Sequence, residues 1–327
     1  MDRADGRGRG RSIGKRIRDG FFEPSSRSKL EAKREKEATL RTPCRSWTLP
    51  AVAVALLSSP IALGAQTAAE PPRTLSCGEI ETFLKTAKIG RQREIPIGVT
   101  VPLRATLDNG SLRHDAAIQT ADIREASYAT ARGTELNFRD TWKFNVAGYE
   151  LAKMLELNMV PPYVERRVNG GPASLSWWVN DTMMEQDRVQ RKVMPPDVGS
   201  WNDQLYAGRL FRELIGDSDF NPTNTLITKD WRVWLIDFSR AFRLAKTLQF
   251  PSEVTRVDRK LLTNLRALNR ETLQGKLGAW LSKGEIDAVI ARRDVIVGIL
   301  EKQIATKGEA AIVYDLPRMT EACGTGL

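Results

Sequence analysis

Three oxygen-bearing side chains, Asp219, Asn224 and Asp237, have the types and spacing for metal-assisted phosphoryl transfer. Mg²⁺ prefers hard oxygen ligands and often takes only one or two from the protein, the rest coming from phosphates and water. A nearby Asp then orients or deprotonates an acceptor hydroxyl. The sequence therefore predicts Asn224 and Asp237 as metal ligands and Asp219 as the catalytic residue. Alone, an Asp and an Asn five residues apart are weak evidence, because such residues often cap loop backbone.

A predicted hairpin strengthens this interpretation, because it brings two of the three side chains together. Residues 224–237 form two arms rich in Thr, Ile, Val and Trp around a Lys229-Asp230 turn, a pattern typical of antiparallel strands. A turn centred on this dipeptide places Asn224 opposite Leu235 and Asp237 just beyond, opposite Pro222. Directly opposed residues lie roughly 5 Å apart, so we expect the amide and the carboxylate to converge at the open end of the hairpin.

The region before residue 180 has the patterns of a small mixed lobe. Alternating apolar residues predict a long strand over 95–107, and Asp108-Asn109-Gly110 predicts a tight turn into a return strand. The period changes to that of a helix over 140–157. Two further strands are predicted over 160–168 and 173–179, separated by Asn169-Gly-Gly-Pro.

Helical patterns dominate the rest of the chain. A polar stretch over 180–192 is predicted to connect the two parts, and helices are predicted from Trp201 to Gly216 and over 257–268. Ser282-Lys-Gly-Glu285 is a capping-box pattern that opens a long final helix. The predicted fold is α+β and two-lobed, with a small mixed lobe over 70–182, a mainly helical lobe over 183–315 and a tail over 316–327.

Residues 95–300 resemble the atypical branch of the protein-kinase-like fold, which includes the HipA kinases, the secretory-pathway casein kinases and the phosphoinositide kinases, and they also resemble exported bacterial proteins of this type. The resemblance rests on Asp219 and Asn224, on Leu235-Ile-Asp-Phe-Ser-Arg-Ala-Phe242, and on Val160-Pro-Pro-Tyr-Val-Glu-Arg after a helix. It implies Mg²⁺ and ATP as cofactors and a hydroxyl on a protein or small molecule as acceptor.

Two positions depart from the pattern of these kinases. Ala116-Ala-Ile-Gln119 aligns with the strand motif whose last residue is normally the lysine that holds the nucleotide phosphates, and the glutamate partner of that lysine falls at Asn145. Gln119 and Asn145 are thus the expected cofactor-binding pair, but they carry no charge. Either another base takes the role of the lysine or nucleotide binding is weak or lost; the bases considered are Arg104, Arg113, Arg124 and Lys143. The alternative to a phosphotransferase is therefore a catalytically inactive kinase-like binding module.

The charge of the chain is concentrated at its beginning. Residues 1–46 hold 14 Lys/Arg and 7 Asp/Glu, a balance of +7 out of the net charge of +10, so a basic nucleic-acid-binding surface is not expected in the remainder. Residues 49–64 are apolar, follow Arg41 and Arg45 and precede small residues, a pattern that indicates a cleavable signal peptide within a leader over 1–69. An uncleaved anchor and a buried helix are the alternatives. The predicted protein is exported to the periplasm or beyond, meets the membrane only during export and is a monomer.

The cysteines and the histidine do not have the pattern of a zinc site. Beyond the predicted leader the chain has only Cys77 and Cys323, which either pair in an oxidising compartment or remain two free thiols. The only histidine, His114, falls on a predicted strand face and is interpreted as structural rather than catalytic. With no Cys-x-x-Cys pair, a zinc site is not expected.

Overall fold

The computed structural model describes residues 74–96, 102–130 and 133–317; the predicted leader and Cys323 lie outside them. The helices are α1 (Cys77–Thr86), α2 (Trp142–Met154), α3 (Glu185–Gln190), α4 (Val198–Ile215), α5 (Arg259–Ala267), α6 (Arg270–Leu277), α7 (Lys283–Lys307) and α8 (Glu309–Ile312). The strands are β1 (Lys88–Glu94), β2 (Leu103–Asp108), β3 (Arg113–Gln119), β4 (Asp122–Thr130), β5 (Gly133–Thr141), β6 (Tyr163–Val168), β7 (Gly171–Trp177), β8 (Thr182–Met184), β9 (Thr225–Thr228), β10 (Val233–Leu235), β11 (Val257–Asp258) and β12 (Val313–Tyr314).

A five-stranded antiparallel sheet with the order β1-β2-β3-β7-β6 forms the first lobe. Helix α1 packs on one face of it through Ile80, Phe83 and Leu84, which join Leu107 and Trp177 in a buried cluster. Local signals explain the two tight connections, since Gly110 and the pair Asn169 and Gly170 adopt the positive φ that such turns require.

A second, larger hydrophobic cluster builds the helical lobe around α4 and α7. The predicted capping box is present, because the Ser282 side chain accepts from the Glu285 N–H and the Glu285 carboxylate accepts from the Ser282 N–H. The strands β8, β9 and β10 form a small sheet at the edge of this lobe. The fold is thus α+β and two-lobed, as the sequence predicted.

The prediction for residues 95–107 and 180–192 was incomplete. The first sheet strands are β1 and β2, separated by residues 95–102, rather than one strand through 95–107. The polar stretch over 180–192 contains β8, which pairs with β9, and the short helix α3. In both places the apolar pattern is too short to show where the strands begin and end. Those limits are set by pairing with strands that are distant in the sequence.

The long hairpin β4–β5 has no counterpart in the sequence prediction. Its strands pair from Asp122 with Thr141 to Thr130 with Gly133. In the sequence the hairpin lies between β3 and α2. Residues 122–127 are all exposed, so the strand lacks the apolar alternation by which half-buried strands are recognised. Phe138, which is 3% exposed and stacks on Tyr128 at a centroid distance of 4.1 Å, is the buried apolar side chain in the described part of the hairpin.

Two further observations concern the cysteines and membranes. Cys77 at the start of α1 is in a disulfide, whose other half lies outside the described residues, so the alternative of a free thiol is wrong for Cys77. No helix in the described part of the chain is both long and apolar enough to cross a bilayer.

His114 on β3 is part of the packing, as the sequence predicted. Its ring stacks on Trp177 at a centroid distance of 3.5 Å, and Nε2 donates to the Trp178 carbonyl at 2.9 Å. Burial lowers the pKa of this imidazole below its ordinary value of 6.5.

This lowered pKa makes stability depend on pH. The unfolded chain takes up a proton near pH 6.5 while the folded imidazole resists it, so the free energy of unfolding falls as the pH drops below 6.5. The slope is at most about 1.4 kcal/mol per pH unit. Urea unfolding of wild type and His114→Gln at pH 7.5 and 5.5 checks this, because Gln cannot be protonated. Equal pH dependence of the two proteins would contradict it.

Candidate functional site

A cavity of about 330 Å³ between the two lobes brings together four of the five predicted site residues, Gln119, Asn145, Asn224 and Asp237. This volume lies within the range of small-molecule sites. The sheet lobe contributes β3 and β7, and the helical lobe contributes β8, β9 and the residue that follows β10. The remaining lining includes Ala117, Tyr163, Trp178, Val179, Met184, Leu226 and Ile236.

The β9–β10 hairpin positions Asn224 and Asp237, although its register differs from the prediction by one residue. Leu235 pairs with Thr225, and the Ile236 N–H donates to the Asn224 carbonyl at 3.1 Å. The predicted pairing of Asn224 with Leu235 was therefore wrong. The cause is a three-residue loop, Lys229-Asp230-Trp231, with Trp231 at φ +63°, in place of the two-residue turn assumed from the sequence. Both side chains nevertheless line the cavity.

The backbone of Asp237, whose side chain lines the cavity, is strained. Asp237 has φ +56°, which is uncommon for a residue other than glycine and costs free energy that the surroundings must supply. Its N–H donates to the Tyr163 hydroxyl at 3.3 Å, and its carboxylate accepts from the Ser239 N–H at 3.4 Å. Burial raises the pKa of the Asp237 carboxyl, and the charges of Asp140 and Asp217 raise it further.

Asp219 stands in the loop after α4, half-buried, and does not line the cavity. Helix α4 ends at Gly216, whose φ of +60° turns the chain. The Asp219 N–H donates to Asp217 at 3.0 Å, and the Asn224 side chain donates to the Asp219 carbonyl at 3.3 Å. The loop and the hairpin are therefore joined, with the Asp219 backbone in contact with the Asn224 amide.

Arg212 holds this loop from inside the helical lobe, and sequence analysis missed it. The guanidinium forms a buried ion pair with Asp217 and donates to the Asn224 carbonyl at 2.8 Å. Their side chains are 3% and 0% exposed. The sequence signal was available, since Arg212 precedes Asp217 by five residues across the end of a helix, but the pairing depends on the turn at Gly216.

Asn145 on α2 connects the two lobes through uncharged groups. Its Nδ2 donates to Gln119 Oε1, and its Oδ1 accepts from the Phe238 N–H at 2.7 Å. The residue that follows Asp237 is thus fixed to the helix that lies beside the sheet. Gly148 on the same helix allows this approach, because a Cβ there would lie 2.9 Å from the Phe238 ring.

Cations are scarce in the cleft. None of the described residues that line the cavity is Lys or Arg. Of the four bases considered from the sequence, Arg104 pairs with Asp115 at 2.6 Å, Lys143 pairs with Asp122 at 2.8 Å and Arg124 lines a different cavity. Arg113 lies exposed at the start of β3. None of the four lines the cavity, although the Arg104 guanidinium lies 4.0 Å over the ring of Trp178, which does.

The donor set suits a divalent cation that keeps ligands from outside the protein. In the described ranges no group of three or more His, Cys, Asp or Glu side chains is arranged to hold a metal ion. Asn224 and Asp237 instead offer one amide and one carboxylate oxygen in the same cavity, which Asp187 of α3 also lines. Two such oxygens match Mg²⁺ or Mn²⁺, which complete their coordination with phosphate and water.

Asp140 adds a second carboxylate near Asp237. The Ser239 N–H donates to the Asp237 carboxylate at 3.4 Å, and the Ser239 carbonyl accepts from the Thr141 N–H at 2.9 Å, which brings the end of β5 beside the segment that follows Asp237. One Asp140 oxygen is buried and has no hydrogen-bond partner. Burial raises the pKa of this carboxyl, and the charge of Asp219 adds to the effect. In the described part of the chain, Arg240 Nε and Arg243 Nη1 are likewise buried without a partner, and Asp140 is not among the residues that line the cavity.

Comparison with solved structures finds Fam20 and the Golgi casein kinase. A structure of hydra Fam20 with sugar has a TM-score of 0.55 at 13% identity, over 73% of this chain and 92% of that one. The Golgi casein kinase has a TM-score of 0.53 at 14% identity, over 74% and 79%. The same kinase with Mn/ADP bound has a TM-score of 0.51 at 13% identity, over 74% and 80%.

No protein-family profile matches the chain, and no curated protein is significantly similar to it. Identities of 13–14% establish the fold and nothing finer. The structural neighbours agree with the two-lobed α+β fold described above. This chain therefore has the atypical protein-kinase-like fold.

Proposed function

We propose that this protein is an exported, metal- and ATP-dependent phosphotransferase that acts on a hydroxyl acceptor. One observation carries the proposal: Asn224 and Asp237 line the same cavity as the Gln119–Asn145 pair, while Asp219 is joined to Asn224 by a hydrogen bond. Mg²⁺ or Mn²⁺, bound together with the nucleotide phosphates, would supply the positive charge that the described lining of the cleft lacks, since it contains no Lys or Arg. The bound Mn/ADP of one structural neighbour supports this choice of cofactors.

Each residue has a defined task in the proposed reaction. Asn224 and Asp237 hold the cation. The Tyr163 hydroxyl accepts from the Asp237 N–H and the Asn145 side chain accepts from the Phe238 N–H, so the backbone is fixed both at Asp237 and just after it. Asp219 orients the acceptor hydroxyl and accepts its proton. Catalysis then depends on position and electrostatics rather than on a covalent intermediate.

A second candidate is a binding module that has lost phosphotransfer. It is favoured by the neutral Gln119–Asn145 pair and by the absence of Lys and Arg from the described lining of the cleft. Because Gln119 and Asn145 are both neutral, neither leaves a buried charge without an opposite charge. Compared with the usual lysine–glutamate pair, however, the phosphate site has one cation fewer.

Nucleotide binding and phosphoryl transfer separate the two candidates. We expect Mg-ATP or Mn-ATP to raise the thermal midpoint of the wild-type protein, and we expect Asp237→Asn to abolish that rise. With γ-phosphate-labelled ATP, we expect Asp219→Asn to lower the rate of label transfer to the protein or to water about 100-fold or more, as for loss of a general base.

Asp230→Asn is the matched control, because Asp230 is exposed at the turn of the same hairpin. This variant should behave as wild type in both measurements. A metal-dependent nucleotide shift without label transfer would favour the binding module. The absence of a shift with either metal would contradict the ATP-dependent phosphotransferase and leave the binding module.

Export is also part of the proposal and rests on the apolar segment over 49–64. Those residues lie outside the described ranges. The secretory-pathway origin of the Golgi casein kinase supports a luminal or exported location. Sequencing the N-terminus of the mature protein tests it, with a start near residue 65–70 expected.

A further inference from the structure

Cys77 is held in a disulfide, and the chain offers two candidate partners for it. The sequence contains three cysteines, Cys44, Cys77 and Cys323, and Cys77 is disulfide-bonded. Both other cysteines lie outside the described ranges. Cys44 precedes the apolar segment over 49–64, within the leader that the sequence predicts to be removed on export. Cys323 is the candidate that an exported chain retains.

Helix α1 fixes the position of Cys77 on the sheet lobe. Cys77 is the first residue of this helix, and a capping box closes the helix start. At the other end of the helix, Arg166 of β6 donates to the carbonyls of Leu84 and Ala87 at 3.0 and 2.8 Å. A covalent bond to the Cys77 sulfur is therefore an attachment to the sheet lobe itself.

The other end of the described chain is fixed on the helical lobe. Strand β12 pairs with β11. The Tyr314 hydroxyl donates to the Asp203 carbonyl at 2.6 Å, and the Leu316 N–H donates to the Asp258 carboxylate at 2.9 Å. The segment that carries Cys323 therefore begins from a fixed point on this lobe.

The end of α2 lies beside both fixed points. Residues 316–317 line a cavity of about 260 Å³ together with Leu157, which follows α2. Four residues earlier, Lys153 of α2 pairs with Glu81 at 2.8 Å, and Glu81 lies one helical turn after Cys77 on α1. The six residues from 318 to 323 span about 20 Å when extended, whereas a helix with its side chains is about 10–12 Å across. This segment is therefore long enough to pass the end of α2 toward Cys77.

We propose that Cys77 is bonded to Cys323, so that a disulfide joins the C-terminal segment of the helical lobe to α1 of the sheet lobe. Formation of the bond releases the two thiol protons and transfers two electrons to the disulfide of an oxidoreductase in the export compartment. The bond closes a loop that contains nearly all of the described residues, and closing a long loop stabilises a fold by restricting the unfolded chain. The disulfide is independent of phosphotransfer, and its absence would leave the proposed function unchanged.

Peptide mapping of the full chain identifies the partner of Cys77. The protein is folded in a glutathione redox buffer, its free thiols are blocked, and it is then unfolded and digested with trypsin. Cleavage after Lys and Arg places the three cysteines in different peptides, 42–45, 74–85 and 319–327. We expect peptides 74–85 and 319–327 to be cross-linked until a reductant is added. A cross-link of 74–85 to 42–45 or to a second copy of itself overturns the proposal, as does recovery of Cys323 as a blocked free thiol.

Thermal unfolding with and without reductant measures what the bond contributes. Reduction is expected to lower the thermal midpoint of the wild type by about 5 °C or more, because the unfolded chain gains freedom when the loop opens. Cys323→Ser should have the lower midpoint from the start and should not respond to reductant. Cys44→Ser is the matched control and should respond as wild type. A Cys323→Ser protein that still loses stability on reduction contradicts the pairing.

Discussion

Replacing Arg212 with Met is expected to lower the free energy of unfolding by about 3–5 kcal/mol, the range for breaking a buried ion pair on one side. The guanidinium is the partner of Asp217, whose side chain is fully buried, and it also donates to the Asn224 carbonyl. Without it, Asp217 keeps a charge that the interior does not compensate. Urea unfolding monitored by tryptophan fluorescence measures the effect.

The same helix provides a matched control. Arg209 pairs with Glu253 at 3.5 Å, but both side chains are more than 40% exposed, so Arg209→Met should cost less than about 1 kcal/mol. The double variant Arg212→Met/Asp217→Leu should recover much of the loss, because it removes both charges. Similar costs for the two single variants would show that burial of the Arg212 pair is unimportant.

Replacing Arg292 with Met is the second large expected effect, with a loss of about 3 kcal/mol or more. The side chain is 1% exposed and donates to three backbone carbonyls, those of Leu214, Arg243 and Ala245. Each buried carbonyl left without a donor costs about 1–3 kcal/mol. These carbonyls precede the Asp219 loop and follow Asp237, so α7 supports both sides of the site from behind.

Thermal and urea unfolding of Arg292→Met measure this loss, and Lys302→Met is the control on the exposed side of the same helix. The control should change stability by no more than about 0.5 kcal/mol. Arg292→Lys should rescue little, since an ammonium cannot reach three carbonyls in a fixed plane. If Arg292→Met unfolds like the control, the carbonyls have found other donors.

The elements that follow local rules were predictable from sequence. The turn at Gly110, the helix α2 and the capping box of α7 each depend on residues a few positions apart, and the structure has all three. The two-lobed order followed from where the apolar period changes. These signals suffice because they require no knowledge of the partner surface.

What failed depends on contacts between distant residues. The β4–β5 hairpin shows no apolar alternation because both its faces meet solvent along most of β4. The hairpin register at Asn224 was wrong by one residue because Trp231 adopts a positive φ that its side chain does not predict.

The β4–β5 hairpin has a mechanical consequence. It is rooted in the sheet lobe, yet Arg139 pairs with Glu285 in the first turn of α7, and Glu135 pairs with Arg243. The hairpin therefore ties the sheet lobe to the helical lobe at two separate points, and we expect any movement of the two lobes away from each other to break both ion pairs.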